Sequence, residues 1–183
     1  MIQKQVYKNP KIGQPLISVI STGCKTPILK VKFCNLFKPY YYANSPTIPR
    51  HSLTCVVDPE EHKEFLKGIQ TIEKNESVET IIKNETIKEG TEHHLTGNVL
   101  IKFQSKDIIP IFVIESVKHE DGSGYIDEPC PIELEDELAG GEEVMVEYDI
   151  LRYTKKNTMK TEHGISFKPS KIFYFRRGEN GSN

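Results

Sequence analysis

The 183-residue sequence lacks the patterns that mark metal-binding, disulfide-stabilised and membrane proteins. Its cysteines show no C-x-x-C spacing and its six histidines form no regular ligand pattern with them, which favours reduced core thiols over zinc ligands or disulfides. The longest strongly apolar stretch, residues 108–114, is too short to span a bilayer, and residues 1–16 lack the apolar run of a secretion signal. We therefore expect a cytoplasmic protein with no metal and no membrane contact. The four cysteines are Cys24, Cys34, Cys55 and Cys130.

Common enzyme motifs are also missing. The sequence has no glycine-rich phosphate loop, no H-E-x-x-H and no G-x-S-x-G, so we expect neither catalysis nor a cofactor. One acidic cluster offers an alternative, because carboxylates hold Mg²⁺ in nucleases. Acidic runs in loops are more often solvated surface, which repels nucleic acid and docks positively charged partners. This cluster consists of Glu133, Glu135, Asp136 and Glu137.

Charge is segregated along the chain although the net charge is only -2. Residues 1–57 contain eight Lys or Arg and no acidic residue, whereas residues 115–147 contain 12 acidic residues and a single base, Lys118. Residues 148–177 are basic again, with eight Lys or Arg against two acids. If the two basic segments are neighbours in the fold, they form a positive surface that attracts a polyanion. Alternatively, both are ordinary strand edges that lysines protect from pairing.

Apolar residues alternate or cluster in seven short segments that predict β-strands. In one of them the alternation places Leu29, Val31 and Phe33 on one side and two lysines on the other. The proline-rich segment 37–50 predicts an irregular loop. Since no β-α-β rhythm is present, we predict a mainly β fold, a small Greek-key barrel closed by a final hairpin. The predicted strands span residues 16–20, 28–34, 52–57, 99–103, 108–117, 144–153 and 165–175.

One helical region interrupts the predicted strands. Asp58 followed by Pro59 and two glutamates is typical of a helix start, with the aspartate as N-cap. Helical spacing of apolar residues then predicts an amphipathic helix over 59–74 and a second helix over 77–89. We predict a single domain over residues 1–183, with a helical insert at about 59–89, an acidic loop at about 119–143 and a flexible C-terminal tail at about 176–183.

Basic and aromatic side chains occur together in both basic segments. A protein that binds single-stranded nucleic acid needs cations along the phosphates and flat side chains on which unpaired bases stack. Three consecutive tyrosines cannot all face one core, so we expect at least one of them on the surface. Phenylalanines in strands are more often core residues than stacking platforms. The candidate nucleic-acid-binding residues are Lys30, Lys32, Lys38, Tyr40, Tyr41, Tyr42, Arg50, Arg152, Tyr153, Lys155, Lys156, Lys160, Lys168 and Lys171.

The order of these segments resembles that of bacteriophage single-stranded DNA-binding proteins with an OB fold. The likeness covers roughly residues 25–175 and is carried by TPILKVKFCNLFKPYYY, SLTCVVDPEEHKEFLKGI and GGEEVMVEYDILRYTKKNTMKTEHGISFKPSKIFYF. Residues 35–37 match an N-x-F strand end, and the Gly-Ile pair at 164–165 matches the start of the second hairpin strand. Many such proteins end in an acidic tail that recruits partners, whereas this chain ends in RRGENGSN.

The resemblance implies an OB barrel that protects exposed single-stranded DNA, without sequence preference, during replication, recombination or repair of a phage genome. Because the first strand of such a barrel pairs with the second and the fourth, it also implies that the two basic segments lie together. Replication or recombination proteins would dock on residues 119–143, and the protein would work in the host cytoplasm. Self-association, and RNA in place of DNA, stay open. The alternative interpretation is a β-rich structural or protein-interaction module of a virus, whose charge segregation serves self-assembly.

Overall fold

The computed structural model describes residues 15–43, 45–116, 130–132, 136–156 and 161–177 of the chain. These residues form nine β-strands and one α-helix, which confirms the mainly β class. In chain order the elements are β1 (Pro15–Lys25), β2 (Leu29–Tyr42), β3 (Ser45–Val57), α1 (Lys63–Asn75), β4 (Lys83–Glu89), β5 (Glu92–Ser105), β6 (Ile111–Ser116), β7 (Cys130–Ile132), β8 (Glu143–Lys156) and β9 (Thr161–Arg177).

Five of the strands close into a barrel. β2 pairs antiparallel with β3, β3 with β5, and β8 with β9. β5 and β9 meet in parallel at Phe103 and Phe167, and β2 meets β8 where Leu29 lies opposite Val144, which completes the ring β2-β3-β5-β9-β8. Numbered by their order along the chain, the barrel strands therefore follow the sequence 1-2-3-5-4. This is the five-stranded Greek-key barrel of an OB fold, as predicted.

β1 extends the first barrel strand along β8. The two pair antiparallel from Lys25 opposite Glu147 to Pro15 opposite Lys155. β2 touches β8 only at its first two residues and otherwise pairs with β3. The acid-free N-terminal segment and the basic closing hairpin thus lie side by side, as the OB strand order implies.

The core fills the barrel interior and is centred on three aromatic rings. The Phe103 and Phe167 centroids are 6.0 Å apart, and the Tyr148 ring contacts them edge-on at 5.2 Å and 5.6 Å. Each such pair adds about 0.5–1.5 kcal/mol beyond the burial of its area. Among the described residues the cysteines at 24, 34 and 55 are free; Cys55 is fully buried in the core, whereas Cys24 and Cys34 are half-buried. Aliphatic side chains from all five strands surround the rings, among them Leu29, Val31, Leu53, Ile101, Val144, Val146, Ile150 and Ile165.

Helix α1 packs on this core with Leu66 and Ile69 buried, which confirms the predicted amphipathic helix. It begins one turn later than predicted, and the N-cap position is taken by His62. The Asp58 carboxylate does accept a hydrogen bond from the N–H of Glu60 at 2.9 Å, as an N-cap side chain would, and the Asp58 carbonyl oxygen accepts one from the N–H of His62 at 2.9 Å. These bonds close a turn before α1, so Asp58 caps that turn and not the helix itself.

The predicted second helix over 77–89 is wrong. Ser77 adopts a left-handed conformation with φ 54°, which ends the helical path after α1. The buried carboxylate of Glu73 accepts a hydrogen bond from the N–H of Ile81 at 2.9 Å and fixes the following segment. β4 then pairs with β5 through a turn at Gly90, whose φ is 62°. Strand pairing outweighs the helical spacing of these apolar residues.

The segment 37–50 is not an irregular loop either. β2 and β3 continue through it as a long hairpin, with β2 reaching Tyr42. Between Asn35 and Tyr40 the pairing is interrupted by a bulge in which four residues of β2 lie opposite a single residue of β3. Pro39 lies in this bulge, where a missing N–H removes no ladder hydrogen bond, so proline is compatible with the strand.

Two further predictions need boundary corrections. Most of the acidic segment 119–143 lies outside the described residues, but β7 within it is a strand that pairs antiparallel with β6. The predicted tail begins too early, since Arg176 and Arg177 are the last residues of β9 and pair with β6. Residues 178–183 lie outside the described part of the chain.

Candidate nucleic-acid interface

The outer face of β2, β3 and β5 carries a row of three cross-strand neighbours. Phe33 lies opposite Thr54, which lies opposite Lys102. A register shift between Val31 and Phe33 turns the Phe33 ring outward, where it is 58% exposed. The Nζ of Lys32 lies 5.9 Å from the ring centroid. The prediction that Phe33 shares the buried side of Val31 is therefore wrong, because the bulge interrupts the two-residue alternation.

The three tyrosines lie at the end of this face, and we call residues 40–42 the tyrosine arm. Tyr40 and Tyr42 contact edge to face with centroids 5.3 Å apart, and both hydroxyls donate to Oε1 of Gln104, at 2.9 Å and 3.2 Å. The Nζ of Lys102 lies 4.7 Å from the Tyr40 centroid and also contacts its hydroxyl. Burial and the neighbouring Tyr40 hydroxyl raise the pKa of Tyr42, so it stays a neutral donor. Tyr41 is 54% exposed, which confirms that at least one tyrosine lies on the surface.

Cations flank the tyrosine arm. The guanidinium of Arg50 lies 5.6 Å from the Tyr42 centroid, and its buried Nε has no hydrogen-bond partner among the described residues. Lys38, just before the arm, and Lys30, further back on β2, are both exposed. Cationic and aromatic side chains thus share one surface, which is the combination that a single-stranded polyanion requires.

Lys32 is more engaged than the sequence indicated. Its Nζ lies 3.0 Å from Oε2 of Glu85, whose side chain is only 9% exposed, and the hydroxyl of Thr96 donates to the other carboxylate oxygen at 2.9 Å. Burial raises the pKa of Glu85, but the hydrogen bonds and the charge of Lys32 outweigh it and hold that pKa below its ordinary value. The pair borders an open groove of about 440 Å³ lined by Lys30, Val31, Lys32, Val56, Glu85 and Asn98, with two glycines.

A carboxylate from the acidic segment fills the bulge of β2. Oε1 of Glu137 accepts hydrogen bonds from the N–H groups of Phe37 and Lys38, both at 2.6 Å, and Oε2 accepts one from the N–H of Leu36 at 2.7 Å. The thiol of Cys34 donates to Oε2 at 3.0 Å. Burial and this carboxylate raise the pKa of Cys34 to about 12, so the thiol stays protonated. Glu137 thus satisfies the backbone donors that the interrupted β-ladder leaves free.

The acidic cluster that offered a metal site is only partly within the described residues. Glu133 and Glu135 lie outside them, Asp136 is exposed, and Glu137 is bonded to backbone N–H groups. In the described part of the chain, no three His, Cys, Asp or Glu side chains are placed to hold a metal ion. No helix among the described residues is long and apolar enough to cross a membrane.

In the closing hairpin, two predicted contact residues serve the barrel itself. Nη1 of Arg152 donates to the carboxylate of Glu76 at 2.6 Å and to its backbone carbonyl at 2.8 Å, which ties β8 to the end of α1. The ring of Tyr153 covers Gly164 on the paired strand, where a Cβ would collide with it. Lys155 is half-buried and pairs with β1.

The lysine end of the hairpin is separate from the tyrosine arm. β2 and β8 are antiparallel and meet only at their first residues, so the arm and the lysine end diverge from that meeting point. The Lys156 side chain and the whole of Lys160 lie outside the described residues. The sequence-based hypothesis of one shared phosphate track therefore becomes two clusters, one on β2, β3 and β5 and one at the end of β8.

The two remaining candidates lie on β9. Lys168 comes directly after the residue that pairs β9 with β5, and its exposed Nζ lies 3.9 Å from the carboxylate of Asp107. The Nζ of Lys171 lies 6.0 Å from the ring centroid of Phe112, on the side of β9 that pairs with β6. Lys168 thus adjoins the outer face of β5, whereas Lys171 adjoins β6.

Sequence reasoning missed three residues of this surface, Lys102, Gln104 and Phe33. Alternation with Ile101 and Phe103 already predicts Lys102 on the surface, but its position beside β3 depends on a pairing that the sequence does not encode locally. The outward turn of Phe33 depends on a bulge, for which the sequence carries no glycine signal.

Comparison with known proteins supports the fold. No family model and no curated protein sequence matches the chain. Among solved structures, the chain is similar to the single-stranded DNA-binding protein of bacteriophage Enc34 in complex with ssDNA, with a TM-score of 0.51 and 14% identity over 96% of this chain and 97% of that one. A C-terminal truncation of the same protein gives a TM-score of 0.50 at the same identity and coverage. The chain therefore has the fold of these phage proteins along nearly its whole length.

Proposed function

We propose that this protein binds single-stranded DNA without sequence preference. The observation that carries the proposal is the outer face of the first three barrel strands, where exposed Phe33 and Tyr42 share the surface with Lys30, Lys102 and Arg50. OB folds bind oligonucleotides on the face of strands 2 and 3 and on the loops between strands 1 and 2 and between strands 4 and 5. In this chain the corresponding segments are the one that joins β2 to β3, next to the tyrosine arm, and the one that joins β8 to β9.

In this proposal, base stacking and phosphate contacts make separate contributions to the affinity. Each base that stacks on an aromatic ring gains roughly 1–3 kcal/mol, and every base has a face that stacks, so affinity comes without sequence readout. Lysines and arginines next to the rings neutralise phosphates and release counterions. The phage protein with the same fold, which is described in complex with ssDNA, supports this assignment.

The basic closing hairpin supplies a second part of the site. Lys155 and Lys156 are the last two residues of β8, and Lys160 directly precedes the first residue of β9 in the sequence. We propose that they contact phosphates at a separate point from the tyrosine arm. One strand that reaches both clusters would then be held at two places on the barrel.

In the cell, we propose that the protein coats exposed strands during replication, recombination or repair of a phage genome, in the cytoplasm of the host. Its action would be binding rather than catalysis. The acidic segment 119–143 is the proposed docking site for replication or recombination proteins, since its clustered carboxylates attract positively charged partner surfaces.

A titration of fluorescent oligothymidine tests the proposal directly. Anisotropy measured at about 50 mM and about 200 mM salt should give tight binding that weakens steeply with salt, because several phosphate contacts release counterions. The matched duplex should bind much more weakly, since paired bases offer no free faces for stacking. Equal affinity for duplex and single strand, or no affinity for either, would contradict the proposal.

A further inference from the structure

We infer that Glu137 is a positioning residue, whose carboxylate holds the β2 bulge in the shape that presents Phe37, Lys38 and the tyrosine arm to single-stranded DNA. This inference rests on the proposed function. Charge repulsion alone would make this carboxylate unfavourable for DNA binding. The inference instead gives it a role that supports binding.

Three consecutive backbone N–H groups converge on this one carboxylate. Its oxygens accept hydrogen bonds from the N–H groups of Leu36 at 2.7 Å and of Phe37 and Lys38, both at 2.6 Å. These three donors precede Glu137 by about one hundred positions in the sequence. Successive N–H groups that point at one anion form a nest, and hydrogen bonds to an ionised acceptor are short and strong. Without Glu137, the backbone N–H groups of this stretch of β2 would lose their acceptor, since the stretch lies in the interrupted part of the β2–β3 ladder.

The shape of the bulge sets the direction in which β2 continues toward the tyrosine arm. On one side Nδ1 of the buried His51 lies 2.9 Å from the carbonyl oxygen of Leu36, which fixes the bulge to β3. Phe37, 50% exposed, leaves the bulge into solvent, and pairing resumes at Tyr40. Glu137 is therefore the contact that links the acidic segment to the orientation of the proposed stacking residues.

Glu137→Gln tests the inference, because glutamine keeps the size of the side chain but loses its charge and turns one acceptor into a donor. Asp136→Asn is the matched control, since it removes the same charge from the exposed neighbouring residue. We expect Glu137→Gln to weaken oligothymidine binding about tenfold, and Asp136→Asn to leave it unchanged or slightly tighter. Tighter binding by both variants would mean that Glu137 acts only through its charge, and would overturn the inference.

A comparison of oligothymidine with an abasic oligonucleotide separates a positioning role of Glu137 from a general loss of structure. An abasic oligonucleotide of the same length measures the phosphate contacts alone. Glu137→Gln should lose most of the preference for oligothymidine over the abasic strand while keeping the salt dependence of wild type. Ile111→Val, a core change remote from the face, should lower stability without changing that preference. An equal loss of affinity for oligothymidine and for the abasic oligonucleotide would show a structural role and overturn the inference.

Amide NMR spectra provide a readout that does not depend on DNA. In Glu137→Gln the amide signals of residues 36–38 should shift, and those of the tyrosine arm should shift with them. A wild-type protein that binds no single strand would overturn the proposed function, whereas tyrosine-arm signals that stay in place in the variant would overturn the positioning role.

Discussion

Lys102 of β5 and Tyr40 of β2 meet on the outer surface of the barrel, with Nζ 4.7 Å from the ring centroid and in contact with the hydroxyl. They are 62 positions apart in the sequence and belong to the third and first barrel strands. The contact places a cation against an aromatic ring on the face that OB folds use for oligonucleotides. Phosphate binding and base stacking are thereby combined at one point of this surface.

Removing the Lys102 charge should weaken single-strand binding and reduce its salt dependence. Lys102→Met keeps most of the side-chain length but loses one phosphate contact, which lowers the slope of log Kobs against log salt by about 0.7 on a single strand. Anisotropy titrations at several salt concentrations measure this slope. Lys67→Met, on the exposed side of α1, is the matched control and should leave the slope unchanged. A slope for Lys102→Met equal to that of wild type would exclude a phosphate contact there.

The exposed rings should contribute to affinity without contributing much to stability. Tyr41→Leu and Phe33→Leu should each cost roughly 1–3 kcal/mol of binding free energy, because each variant loses a stacking platform. Tyr41→Phe keeps the ring and should bind like wild type. Leu95→Ala, a change at another highly exposed apolar side chain, is the control for lost surface area. Binding assays with labelled oligothymidine, together with thermal unfolding, check both parts, and full affinity in the leucine variants would remove these rings from the site.

The basic hairpin is tested by removing the charges of its three clustered lysines. Replacing Lys155, Lys156 and Lys160 together with Ala should weaken binding to all single strands alike, since phosphate contacts carry no sequence information. A control variant that loses three exposed lysines of α1 reports the effect of net charge alone. Equal losses in the two variants would show that the hairpin acts only through the overall field of the protein. The control positions are Lys63, Lys67 and Lys74.

The Lys32–Glu85 pair predicts a pH dependence of stability. Because the folded state holds the pKa of Glu85 below its ordinary value, the carboxylate stabilises the fold above its unfolded-state pKa. That contribution is lost as the pH falls through the lowered folded-state value. Glu85→Gln should therefore be less stable than wild type near neutral pH, on the order of 1 kcal/mol, and the difference should shrink in acid. Urea unfolding at several pH values measures it, with Glu79→Gln as an exposed control, and a difference that grows in acid would contradict the assignment.

The sequence predicts the barrel strands well because their core residues alternate or cluster without interruption. Ile101 and Phe103, for example, face inward on either side of Lys102. The sequence-based prediction of secondary structure is wrong where tertiary contacts outweigh local preference. The pattern over 77–89 has helical spacing, yet β5 provides a pairing edge for β4, and the residues after Asp58 form a separate turn before α1 begins.

The same contrast between local pattern and tertiary contact holds for the residues of the candidate site. The tyrosine arm and Arg50 are recognisable because three rings beside a cation are too many for one core. Lys102 and Glu137 are not, since each reaches β2 through pairing or hydrogen bonds over a long sequence separation. Arg152 and Tyr153 have the residue types of a binding site, but Glu76 and Gly164 engage them within the fold.

The most direct test of the central claim is an amide NMR map of the protein saturated with oligothymidine. We expect the largest signal changes on β2, β3 and β5, at Lys30, Phe33, Tyr42 and Lys102, and little change along α1. Changes confined to α1 or to the β6–β7 pair, with the outer face of β2, β3 and β5 unaffected, would contradict the account.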